Sequence, residues 1–156
     1  MTTRLPTIPS RLKIQLISFI FFFLMQLTGT VFAKPVLVLH SNIDAEEIKN
    51  ESLTRIYGMQ KKFWKDGTAI KVYMLPKNSS LHKEFVLHYL HMQPYQLNRL
   101  WHRLLYSGTG TIPEVVPTIE ELILKIQNTP GAIGYIDQES SKTIESSVIR
   151  RIGNDD

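Results

Sequence analysis

The sequence predicts an α/β domain, a mixed and mostly parallel sheet flanked by helices. Three observations carry the prediction. Pro35–His40, Ile70–Leu75 and Ala132–Ile136 are short apolar runs rich in β-branched and aromatic residues, as buried strands are. Between the second and third, apolar residues recur at intervals of three and four, the helical period. Strands separated in this way by helices are joined by crossovers, which bring at least some of them together in parallel.

Before the first strand lies a segment of a different kind. Arg4, Arg11 and Lys13 precede an apolar run from Leu16 to Met25, and a polar stretch leads to Val31-Phe32-Ala33. A basic start, an apolar middle and small residues before a cleavage point describe a secretory signal over residues 1–33. The domain then spans 34–156, and export is expected. The apolar run is shorter than the ~20 residues a membrane span needs. Three of the 18 Lys+Arg fall in the signal and none of the 14 Asp+Glu, so the domain carries 15 against 14. A nearly neutral domain gives no argument for nucleic acid. The chain has no cysteine, which excludes disulfides, thiolate catalysis and Cys-based zinc sites.

Along the domain, Asn42–Asn50 is polar and acidic and reads as a loop or one helical turn. Ser52 is positioned to cap a short helix with Leu53, Ile56 and Tyr57 on its apolar side, ending at Gly58. Asp66-Gly67 marks a turn before the second strand. After a polar turn at 76–80, Leu81, Phe85, Tyr89 and Met92 fall on one helical face. Gln93-Pro94 opens the next helix, with proline at the first position, where its missing N–H is harmless. Leu97, Leu100, Trp101, Leu104 and Leu105 form its apolar side, and Ser107-Gly108 ends it. Thr118-Ile-Glu-Glu121 has capping-box spacing ahead of Leu122, Ile123 and Ile126. Thr129-Pro-Gly131 stops that helix, and Val148–Ile152 reads as a last edge strand.

Chemistry concentrates at the turn LPKNSSLHKEF, residues 75–85. A helix starting there leaves its first amides unpaired, with about half a positive charge from the dipole. Ser79, Ser80 and Lys77 could complete a seat for phosphate or a similar oxyanion. The plainer reading is that Ser79 or Ser80 caps the helix, and both roles are compatible. His88 and His91 are three apart and flanked by His82 and His102, a spacing that could share a metal, but no carboxylate completes a ligand set. Glu84 and His88 are placed to pair instead. No nucleophile motif, H-E-x-x-H or P-loop occurs, so no catalytic residue, metal site or cofactor is assigned.

Leu53-Thr-Arg-Ile-Tyr-Gly58, Phe63-Trp64-Lys-Asp-Gly67, the serine turn, Leu97–Trp101 and Pro130-Gly-Ala-Ile-Gly-Tyr135 occur in an order that resembles the phosphate-binding proteins of ABC transporters, and especially short single-domain relatives. The resemblance runs from about Glu51 to Ile136, and the Pro130–Tyr135 piece is its strongest part. It implies a single periplasmic-binding-protein-like lobe. It also implies a non-enzymatic solute-binding module with weak affinity for phosphate or a similar anion, working with a membrane transporter or sensor protein. In that family serine and threonine hydroxyls, amides, an arginine and an acidic residue hold the anion, and the acidic ligand finds no counterpart in this sequence. Aligned on Phe85, the serine is kept at Ser79, the following glycine is Ser80, the threonine is Leu81 and the arginine is Leu75. The alternative is an interaction module that has lost its ligand, with Tyr95, Trp101 or Tyr106 exposed for docking.

Overall fold

A computed structural model describes residues 34–48, 50–108, 111–144 and 149–152. The chain divides into Met1–Val31 and Phe32–Asp156, and the described residues belong to the second unit. The signal expected over 1–33 lies outside the described residues, as do Thr109 and Gly110. Among the described residues, no helix is long and apolar enough to cross a membrane.

Five strands form one mixed sheet in the order β3-β2-β4-β1-β5: β1 (Pro35–His40), β2 (Lys71–Met74), β3 (Glu114–Val115), β4 (Ala132–Asp137) and β5 (Ile149–Ile152). The parallel part is β3-β2-β4, with Tyr73 opposite Glu114 and Val72 opposite Ile133. Strand β1 runs antiparallel to both β4 and β5. Leu37–Leu39 and Ala132–Ile136 are buried without alternation, as in strands covered on both faces.

Helices α1 (Asn50–Tyr57), α2 (Ser80–His88), α3 (Pro94–Tyr106), α4 (Ile119–Asn128) and α5 (Gln138–Thr143) flank the sheet, with a 3₁₀ turn at Ala45–Glu47. Helix α1 begins before Ser52, which is therefore an interior residue and not the cap that the sequence suggested. Helix α3 starts where expected, and the Gln93 N–H donates to Gln96 Oε1 at 2.7 Å. Leu97 and Trp101 are buried, but Leu105 turns out to be exposed, since it lies off the side that faces the core. The Trp101 Nε1–H reaches the carbonyl of Tyr57 at 2.8 Å and satisfies the last residue of α1. The Thr118 hydroxyl accepts from the Glu121 N–H at 3.2 Å and caps α4.

The segment Pro130–Tyr135 is shaped by packing. Gly131 has φ of +80°, and a Cβ there would collide with the carbonyl oxygen of Ala69. Its own carbonyl accepts from Trp64 Nε1 at 2.9 Å and from the Lys71 N–H at 3.1 Å. A Cβ on Gly134 would come within 2.8 Å of Ile126 Cδ1 and 2.9 Å of Leu122 Cδ2, so this glycine lets α4 close onto β4. The Tyr135 ring stacks on Phe85 of α2 at 4.0 Å, and Tyr57 of α1 leans against Phe85 at 4.7 Å. The same segment thus fixes both helices over the sheet.

Candidate functional site

Strands β2, β3 and β4 run in the same direction, so their C-terminal ends share one edge of the sheet. Outside such an edge is where open α/β sheets hold ligands. A cavity of about 400 Å³ lies there, lined by Leu75, Ser79, Ser80, Leu81, Thr118, Ile119 and Asp137, with Pro76, Asn78 and Pro117. Each residue arrives for a reason of topology. The serine turn leaves β2 and opens α2, Pro117-Thr118 leaves β3 and opens α4, and Asp137 ends β4 and opens α5.

Two helix N-termini, those of α2 and α4, therefore border one cavity. Ser79 occupies the N-cap position of α2 with extended backbone, yet its hydroxyl makes no capping hydrogen bond. The amides of the first turn of α2 have no acceptor within the helix. On α4 the Thr118 hydroxyl is already engaged by Glu121. Asp137 brings negative charge to the same cavity. Its two oxygens accept from the Ser140 N–H at 2.8 Å and the Ser140 hydroxyl at 2.6 Å. Burial pushes this carboxyl up, but the Ser140 hydrogen bonds outweigh it and hold the pKa below the ordinary value.

Of the three residues expected to seat an anion, the fold brings Ser79 and Ser80 to the cavity, but Lys77 is not among its lining residues. The Lys77 ammonium lies 5.6 Å from the centroid of the Trp101 ring. Leu75 and Leu81 are both buried cavity residues. Sequence reasoning missed Thr118 and Asp137 as cavity residues. The available signal was the pair of capping patterns after two strands, Thr118 with Glu121 and Asp137 with Ser140.

Behind the turn is a buried polar link. The Tyr135 hydroxyl accepts from the Leu75 N–H at 3.1 Å and lies 2.6 Å from His82 Nδ1. The other ring nitrogen of His82, Nε2, is a buried atom without a hydrogen-bond partner among the described residues. Burial, and secondarily the charge of Lys77, lowers the His82 pKa to about 4. Burial raises that of Tyr135.

The histidine spacing does not survive folding. Helix α2 ends at His88, and His91 follows in a left-handed conformation, φ +50°, so the two do not share a helical face. His88 pairs with Glu84 at 2.9 Å, as the i,i+4 spacing suggested. Among the described residues no three of His, Asp and Glu come together as a metal site. Trp101 is buried, while Tyr95 and Tyr106 are 61% and 88% exposed.

No family model and no curated protein matches the chain by sequence. Solved structures do match. An ABC-type phosphate transport receptor from Vibrio cholerae superimposes with a TM-score of 0.56 at 15% identity, over 77% of this chain and 45% of that one. PstS from Borrelia burgdorferi gives 0.55 at 19% identity, over 80% and 49%. The fold is periplasmic-binding-protein-like. At these identities the likeness concerns the fold alone. The chain spans about half the length of the solved proteins it matches.

Proposed function

We propose that this chain is an exported, non-enzymatic solute-binding module of the periplasm that takes phosphate or a similar oxyanion weakly at the serine turn. The observation that carries the reading is the Ser79 hydroxyl: it lines a cavity bordered by two helix N-termini and makes no capping bond. Ser79 donates from its hydroxyl, its N–H being held by the Pro76 carbonyl at 2.9 Å, and Ser80 donates from hydroxyl and amide. Lys77, on the same turn, adds its charge by swinging from the Trp101 face. The absence of an arginine at Leu75 removes the strongest partner an oxyanion could have. That loss keeps the affinity low.

Asp137 sets the preference within this class. A carboxylate that stays ionised can accept a hydrogen bond but repels a bare anion, so an oxyanion carrying its own proton, such as hydrogen phosphate, is favoured over sulfate. Isothermal titration tests the reading. Heat is expected with phosphate at millimolar concentration, less with sulfate and none with Ser79→Ala. No heat with phosphate would overturn it.

The exposure of Tyr95 and Tyr106 favours a second reading, in which the domain is an interaction module without a ligand that docks on a transporter or sensor protein. Co-purification of a partner that survives Ser79→Ala, together with a silent phosphate titration, is the outcome specific to that reading.

A further inference from the structure

The outward face of helix α3 combines basic and aromatic side chains. With Leu97 and Trp101 turned to the core, the opposite side at 100° per residue carries Tyr95, Arg99, His102, Arg103 and Tyr106. All five are exposed. From Phe85 to Pro113 the sequence contains no Asp or Glu, although the domain as a whole is nearly balanced in charge. Among the described residues neither Arg99 nor Arg103 has a carboxylate within ion-pair distance, and the His102 ring lies 6.3 Å from that of Tyr106. Basic residues here form one unneutralised stripe, with an exposed tyrosine near each end and Leu105, 51% exposed, beside it.

We infer that this face of α3 lies on an anionic phospholipid surface. Charge complementarity is the first argument: unpaired arginines next to acidic headgroups each strengthen binding about fivefold. Chemical type is the second. Tyrosines with an apolar ring and a polar tip settle at the headgroup boundary, and a helix that alternates them with arginines along ~20 Å matches a continuous surface. An acidic protein is the competing occupant, and the experiment below separates the two.

The absence of cysteine makes the test clean, because a single label can be attached to the full chain. His102→Cys carries a polarity-sensitive fluorophore on the stripe, and Leu124→Cys, exposed on α4, serves as the control position. On vesicles rich in phosphatidylglycerol the label at position 102 is expected to brighten at least twofold and shift to the blue, and the control to stay unchanged. Neither change is expected on phosphatidylcholine alone. Arg99→Glu with Arg103→Glu abolishes the response at 102, and circular dichroism checks that this variant folds. Tyr95→Ala with Tyr106→Ala, as a separate variant, weakens it. Equal responses at 102 and 124, or none at 102, would overturn the inference. So would a response to polyglutamate in place of lipid, which would assign the stripe to an acidic protein.

Discussion

His82 Nδ1 lies 2.6 Å from the Tyr135 hydroxyl, with both side chains inside the core. This contact joins the first turn of α2 to β4 and, through the Leu75 N–H, to the end of β2. The serine turn is held from beneath by a link that has no need of the ligand.

Stability therefore falls in mild acid. His82 has its pKa lowered from 6.5 to about 4 by burial and then by Lys77. Between those values the unfolded chain binds a proton that the folded chain refuses, so stability declines as pH drops from about 6.5 to 4. The full effect is at most about 3 kcal/mol. Urea unfolding at steps across this range should show the decline, and His82→Gln should flatten it. A native protein whose stability is level from pH 6.5 to 4 would contradict the assignment.

Removing the tyrosine hydroxyl should cost about 1–3 kcal/mol, because Tyr135→Phe leaves the buried Leu75 N–H without an acceptor. Chemical denaturation at pH 7 reads this loss. Amide exchange at Leu75 should accelerate in the same variant, and unchanged exchange there would show that the hydrogen bond does not hold the turn.

Gly131→Ala should destabilise the domain by more than about 2 kcal/mol. The φ of +80° disfavours any side chain, and the new Cβ meets the Ala69 carbonyl, whose backbone cannot withdraw without disturbing the strand start at Lys71. Thermal melting should show a loss well above that of Thr118→Ala, the cap of α4, which should cost about 1 kcal/mol.

Some of this architecture was legible in the residues and some was not. Helix α3 could be read because proline opens it and its apolar residues repeat at three and four. Strands β1 and β4 could be read because a buried strand is an apolar run. Strand β3 escaped, since two exposed residues between Pro113 and Pro117 owe their conformation to pairing with β2 and to no pattern of their own. Helix α5 escaped because it is short and polar and depends on its Asp137 cap. The site was half legible for the same reason. Ser79 and Ser80 lie on one turn, whereas Thr118 and Asp137 reach the cavity only because β3 and β4 flank β2. Pro130–Tyr135 owes its glycines to Ala69 and to α4 packing.

The central claim is that the serine turn holds the anion, and amide chemical shifts test it most directly. Titrating the isotope-labelled protein with phosphate at constant pH should move the backbone N–H signals of Ser79, Ser80 and Leu81 together along a saturable curve. Sulfate should move them less, and Ser79→Ala should move them little. Shifts that centre elsewhere in the domain, or signals at the turn that stay still at tens of millimolar phosphate, would contradict the account.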